Sequence, residues 1–344
     1  MENRTELDQL GEFGLIRRIS TNAPPTRTNT VRGIGDDAAV LETGQNEYTL
    51  LSTELLLEGI HFDLSYTPLK HLGYKIVTVG VSDILAMNGI PQHLTVSLGL
   101  SNRFSVEAID ELYAGIRAAC AEYEIDLVGG DTTPARAGLA LGVTVVGSVE
   151  KDRVAYRNGA QPNDILCLSG DVGGAYLGLQ LLEREKQVFL ENPDMQPQLA
   201  EHEYVVQRQL RPDARLDVVQ QLRELGVMPT AMIDVSDGLA SDLLHLCAES
   251  KVGAKVFEEQ LPIHDKTFLA ATELSISPIT AALNGGEDYE LLFTIRQQDY
   301  QTLLDGTTDI SFIGYLTAEP GQAALVTKAG EQVDIIAQGW EIRA

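Results

Sequence analysis

Gly33-Ile34-Gly35-Asp36-Asp37-Ala38 is the stretch whose reading decides this chain. Two glycines free the backbone, and two adjacent carboxylates follow at once. If Ala38-Ala39-Val40-Leu41 continues as a strand, Asp36 and Asp37 point to opposite faces. At least one acid is then fixed near other backbone, and a carboxylate held that way calls for a cation. The stretch formally fits Gly-x-Gly-x-x-Ala, a dinucleotide fingerprint, which needs a strand before it and a helix after it. Here a strand follows, and the acid pair repels a pyrophosphate, so a dinucleotide site is rejected. No GxxxxGK[ST] occurs, which rejects a P-loop.

The rest of the composition fits a cation-requiring protein of ordinary globular type. The 344 residues suggest about two domains, and 44% hydrophobic content supplies a core. Lys+Arg 25 against Asp+Glu 50 gives a net charge of -25, which argues against nucleic acid or an anionic membrane as partner. Cys120, Cys167 and Cys247 are far apart and form no CxxC, so neither a disulfide framework nor a zinc knuckle is expected. Met1 to Glu6 is polar and unlike a signal peptide, and no apolar run approaches the roughly 18 residues of a membrane helix. The expectation is a cytoplasmic protein without membrane contact.

Outward from the opening motif, Leu7 to Ile19 reads as a helix, and Pro24-Pro25 marks a loop. Tyr48 to Thr53 returns as the second strand of a hairpin that Glu54 ends. Thr67-Pro68 reads as an N-cap and first helical position, with the helix running to Met87 and Gly89 as its C-cap. Asp83 falls in its last turns, against the helix dipole, and needs compensation. His93 to Leu100 is a strand, Ser105 caps the next helix, and Ile125 to Val128 leads into a Gly129-Gly130-Asp131-Thr132-Thr133 loop. Turn chemistry near Asn158-Gly159 places a domain boundary close to Lys151, giving segments 1–150 and 151–344. Beyond it, Ile165 to Ser169 is a strand followed by a helix through Leu182. Glu185 to Gln198 looks irregular, and Pro212 starts a further helix. Ile233 to Leu239 runs into another helix, and Asn284-Gly285-Gly286-Glu287-Asp288-Tyr289-Glu290 runs into a strand.

Acids next to glycines or at element ends accumulate: Asp36, Asp37, Glu54, Asp83, Asp131, Asp234 and Asp237. Each alone reads equally as a cap or turn acid. Asp234 and Asp237 share one side if that turn is helical. Oxygen ligands without a His or Cys cluster suit Mg²⁺ better than zinc, and Mg²⁺ combines a few carboxylates with phosphate oxygens. His61 is either a core histidine or a ligand contact, and Glu287 either a turn acid or a site residue. Arg157 is either a surface arginine or a phosphate contact, and Trp340 either anchors the tail or stacks on a ring.

Six blocks taken together closely resemble the thiamine-monophosphate kinase family. They are Gly33 to Ala38, Ser52-Thr53-Glu54 with Glu58 to Phe62, Ser82 to Met87, Gly129 to Thr133, Asp234 to Leu239, and Asn284 to Glu290. The resemblance implies transfer of the ATP γ-phosphoryl to the phosphate of thiamine monophosphate. It implies an α/β (α+β) fold of two domains like aminoimidazole ribonucleotide synthetase and selenophosphate synthetase. The N-terminal α/β domain pairs across a homodimer, a C-terminal α+β domain packs beside it, and ATP and several Mg²⁺ sit between the domains. Carried over, Asp37, Asp83, Asp131, Asp234 and Asp237 look like Mg²⁺ ligands, with Ser52, Thr53 and Glu54 lining the site. Gly130, Asp131, Arg157 and Ser236 match nucleotide positions, and His61, Glu287 and Trp340 match substrate positions. Glu54 departs from the family's usual Asp, and Asn88 stands where Gly is more frequent.

The charges of such a reaction set its mechanism. Donor and acceptor are both phosphates, and each unit pair at about 4 Å costs roughly 4 kcal/mol at an effective dielectric near 20. Metal held by aspartates offsets this, and an acceptor phosphate that is already deprotonated needs no general base. The rival readings are a relative acting on another acceptor, a Mg-dependent phosphohydrolase, and a nucleotide or metal sensor. A selenophosphate synthetase would place a Cys near the N-terminus, whereas the first here is Cys120, inside an expected helix.

Overall fold

A computed structural model of the chain describes residues 11–337. Trp340, and the part of the first expected helix before Gly11, lie outside the described residues. The N-terminal half runs α1 (Gly11–Asn22), β1 (Thr30–Arg32), β2 (Ala39–Leu41), β3 (Glu47–Leu57), α2 (Leu69–Ala86), β4 (Ile90–Leu100), α3 (Val106–Glu122), β5 (Asp126–Pro134) and β6 (Leu139–Glu150). The C-terminal half continues with β7 (Ile165–Ser169), α4 (Gly174–Glu191), α5 (Glu203–Leu210), α6 (Leu216–Glu224), β8 (Ala231–Val235), α7 (Leu239–Ser250) and β9 (Gly253–Phe257). It ends with α8 (Asp265–Glu273), α9 (Pro278–Asn284), β10 (Glu290–Ile295), α10 (Tyr300–Gly306), β11 (Ile310–Thr317), β12 (Ala323–Val326) and β13 (Gln332–Asp334). Among the described residues, no helix is long and apolar enough to cross a membrane.

The fold is two-domain α/β. The first sheet has the order β1-β2-β3-β6-β4-β5, and the second β13-β12-β9-β11-β7-β10-β8. In β6, alternation sends Leu139, Leu141, Val143, Val145 and Val149 inward. β8 and β10 are buried along their whole length, so both faces are covered, and Asp234, Glu290 and Thr294 are buried with their apolar neighbours.

Helix α2 ties the two sheets together. It is buried at every position from Leu72 through Ala86 except Asp83. Such all-round burial fits a largely apolar helix whose few polar residues are bonded, and α2 packs against β3, β4 and β6 of one sheet and β8 of the other. One continuous core therefore joins Val79, Val143 and Val145 to Met232, Leu291 and Phe293. Against α3, α2 comes close at glycines: a Cβ on Gly115 would sit 1.8 Å from Lys70 O, and one on Gly73 2.0 Å from Leu112 O.

Several local expectations change. Asp36 and Asp37 lie in bends before β2, so they do not alternate across a strand. Glu54 does not end β3, which stays paired with β6 as far as Leu57↔Ala140. Pro68, extended at ψ 136, is itself the N-cap of α2, and Thr67 makes no cap bond. The left-handed residue after α2 is Asn88 (φ 55), not Gly89. Asparagine tolerates that region, and its Nδ2 donates to Arg153 O at 2.8 Å. Gly129 to Thr133 is strand, because β5 pairs in parallel with β4 through Gly130↔Val96 and Asp131↔Ser97. Glu185 to Glu191 continues α4, and the helix expected from Pro212 starts at Leu216. Ser105 caps α3 as expected, accepting from Ala108 N.

Candidate active site

Three acids from distant segments meet where the two sheets flank α2. Asp37 comes from the loop before β2, Asp83 from the last turn of α2, and Asp234 from β8. One carboxylate oxygen of each lies within 4.8 Å of the others. Hydroxyls from β3 and α2 hold two of them: Ser52 on β3 donates to Asp83 Oδ2, and Ser82 on α2 donates to Asp234 Oδ2 at 2.6 Å. Asp234 belongs to a strand and Asp237 to the bends after it, so the expected helical spacing is not what aligns them.

Arg157 closes the cluster. Its Nε and Nη2 donate to the two oxygens of Asp37 at 3.1 and 2.7 Å. Its backbone N–H donates to Asp36 Oδ1 at 3.1 Å, while Arg32 pairs with Asp36 from the other side at 3.2 Å. Asp36 is thus a strut for Arg157, and its carboxyl is raised to about 6 by burial and by Asp37.

Burial, then Asp234, Glu54 and Asp37, push the Asp83 carboxyl well above the usual range. Asp234 is raised by burial and then by Asp37, against the pull of Ser82 and Arg157. Like charges in a water-poor setting cannot all ionise without a counter-charge. The donor set is hard oxygen, with no His or Cys in the group, which fits Mg²⁺. Glu54 faces the cluster closely enough to raise both acids, yet is not among the three whose oxygens converge.

One acid escaped the sequence reading. Asp242, in the first turn of α7, is buried, and its Oδ2 accepts from Asp237 N at 3.3 Å. Burial, then Asp237 and Asp234, raise its carboxyl well above the usual range. The available signal was an acid at the N-terminal end of an expected helix, just after Asp237.

Period two along β3 separates the other residues. Ser52 is buried, whereas the hydroxyl of exposed Thr53 bonds Val143 O and Thr144 at 3.1 Å on the opposite face. Gly130 and Asp131 lie on β5, which is exposed at all its residues, with β4 and β6 between it and β3. Gly130 is needed for packing, since a Cβ would meet Val96 O at 2.0 Å. One chain therefore gathers Asp37, Ser52, Asp83, Asp234 and Arg157, with Glu54 and Asp237 adjoining, and leaves Thr53, Gly130 and Asp131 outside.

A cavity of about 400 Å³ lies beside the cluster, lined by His61, Tyr66, Lys75, Lys186, Gln209 and Glu287 among others. Glu287 takes Lys75 Nζ at 2.8 Å on one oxygen and Gln209 Nε2 at 2.7 Å on the other. It sits at φ 59, after Gly286 at φ 86, and its N–H donates to Ser236 O at 2.8 Å. Glu287, a lining residue of the cavity, is thus tied directly to the segment that follows Asp234. His61 Nδ1 accepts from Leu57 N at 3.0 Å, which places the ring proton on Nε2. Burial, opposed by the Glu287 charge, lowers the His61 pKa and favours the neutral ring. Lys186 with Asp63 (2.6 Å) and Tyr66 with Glu183 (2.6 Å) fasten the β3–α2 connection to α4.

Comparison with known proteins places this geometry. Residues 35–149 match the AIR synthase related protein N-terminal domain, and residues 161–327 the corresponding C-terminal domain. Thiamine-monophosphate kinase of Aquifex aeolicus is 35% identical over 97% of this chain and 99% of its own length. That of Bacillus subtilis is 34% identical over 86% of each chain. The solved structure of AaThiL complexed with AMPPCP and TMP is 32% identical, superposes at a TM-score of 0.83, and covers 99% of this chain and 100% of its own. With two domain matches in order and relatives aligned nearly end to end, the chain belongs to the thiamine-monophosphate kinase family.

Proposed function

We propose that this chain transfers the γ-phosphoryl group of ATP to the phosphate of thiamine monophosphate, giving thiamine diphosphate and ADP. The observation that carries the reading is a three-acid cluster linked to a cavity of about 400 Å³ through Glu287, which lines the cavity and donates its N–H to Ser236 O, two residues after Asp234. The relative solved with AMPPCP and TMP, an ATP analogue and the acceptor, supports it.

In this reading Asp37, Asp83 and Asp234 hold Mg²⁺, with Ser52, Glu54 and Asp237 completing the lining. When bound, Mg²⁺ supplies the positive charge that lets two phosphates approach. Gly130, Asp131, Arg157 and Ser236 serve the nucleotide, and His61, Glu287 and Trp340 the acceptor. His61 acts as an Nε2–H donor, and Lys75 and Gln209 keep the Glu287 carboxylate aimed. The acceptor oxygen is ionised already, so no side chain removes a proton during transfer. Residues 1–150 and 151–344 are the two working units, with the chemistry at their junction.

The same reading includes a cytoplasmic homodimer. The three cysteines are free and buried, as a reducing compartment permits. The outer face of the first sheet exposes Leu51, Leu55, Leu57 and Val128, an apolar surface that a second copy would cover. Thr53 and Asp131 lie on that sheet's exposed side and edge, and in this reading they belong to the protomer boundary.

Incubation with ATP, Mg²⁺ and thiamine monophosphate, following thiamine diphosphate and ADP, tests the activity. ADP release that does not depend on the acceptor would support a phosphohydrolase instead, and no turnover at all a binding protein.

A further inference from the structure

Arg157 already delivers a positive charge to the acid cluster. Its guanidinium engages both Asp37 oxygens, and the Asp37 side chain has 0% exposure. Its backbone is anchored independently, by Asp36 on one side and by Ser250 Oγ, which donates to Arg157 O at 3.0 Å, on the other. We infer that Arg157 is the resident counter-cation of the cluster and competes with metal for Asp37, so that metal uptake releases its guanidinium to bind phosphate.

The inference rests on the reading of the cluster as a metal site. Asp37 converges with Asp83 and Asp234, so a divalent ion held by the three lies next to the guanidinium. Like charges at that range repel strongly where water is scarce. The side chain has somewhere to go, because it keeps 24% exposure while Asp37 has none. A planar five-donor fork freed beside a metal-held polyphosphate suits its oxygens. Linkage then makes metal and polyanion binding mutually reinforcing. The opposite role is equally concrete: a group that orients Asp37 from behind would strengthen metal binding.

Calorimetry and electron paramagnetic resonance of the full chain with Mn²⁺ alone, without nucleotide, separate the two roles. Arg157→Gln should bind the first Mn²⁺ about tenfold more tightly than the parent, and Arg157→Lys, which keeps the charge, within about threefold of it. Equal or weaker binding by Arg157→Gln overturns the inference. If circular dichroism shows that Arg157→Gln is misfolded, hydrogen exchange on the parent decides. Exchange around Arg157 should rise when Mn²⁺ saturates the protein, and no change or a fall overturns the inference. Failure of the parent to bind Mn²⁺ more tightly than Asp234→Asn would remove the metal-site reading, and this inference with it.

Discussion

Lys75 Nζ, on α2, stands 2.8 Å from Glu287 Oε1, on the loop that enters β10, and Lys75 is 2% exposed. The pair joins the helix shared by both sheets to the wall of the cavity, and Lys75 also donates to Gln209 O at 3.2 Å. Removing the buried Lys75 leaves the half-buried Glu287 carboxylate without its cation. Lys75→Met should lower stability by about 2–4 kcal/mol and raise KM for thiamine monophosphate more than it lowers kcat. Urea unfolding and steady-state kinetics check both, and unchanged values would make the pair idle.

The acid cluster gives stability a pH dependence of known sign. Asp83 and Asp234 have folded pKa values raised above the unfolded value, by burial first and then by neighbouring acids. The folded state then binds more protons than the unfolded state above about pH 4, so stability falls as pH rises from there toward the raised values. In EDTA the urea midpoint should be higher at pH 5 than at pH 7.5, and Asp234→Asn should flatten that slope and stabilise the protein at pH 7.5. A variant slope equal to the parent's would contradict the assignment.

The α2–α3 crossing predicts a substitution that propensity alone gets wrong. Alanine is about 1 kcal/mol better than glycine inside a helix. At Gly115 its Cβ would lie 1.8 Å from Lys70 O, a backbone atom that cannot step aside alone. Overpacking wins, and Gly115→Ala should cost about 3 kcal/mol by thermal or urea unfolding. A neutral or stabilising result would mean that the helices separate freely.

Asp131 offers a test of the proposed homodimer. It is exposed on β5, with β4 and β6 between that strand and β3, roughly 14 Å at about 4.8 Å per strand. Asp131→Asn and Asp234→Asn should each abolish most turnover. Mixing the two inactive proteins under subunit exchange should restore part of it, because one site per mixed dimer is then intact. No recovery, with mixed dimers confirmed by native mass spectrometry, would show that Asp131 acts within its own chain.

Local pattern carried much of this protein. The largely apolar run of α2 and the apolar stretch Leu291-Leu292-Phe293 of β10 read directly as helix and strand because pattern is a property of neighbours in sequence. The six motif blocks also carried the family, and acids near glycines or at element ends marked Asp37 and Asp234 as candidates. What the chain alone did not decide was which acids meet. Asp37, Asp83 and Asp234 converge because α2 packs on both sheets at once, which no local pattern encodes. Strand register turned Ser52 toward the cluster and Thr53 away from it, and strand order left Asp131 on an outer edge. The bidentate hold of Arg157 on Asp37, the pairing of Lys75 with Glu287 and the burial of Asp242 depend on distances between segments far apart in the chain. The sequence by itself determined the elements and the chemical kinds of ligand. The tertiary structure decided which charges share a site, because Coulomb interaction and desolvation follow separation in space, not along the chain.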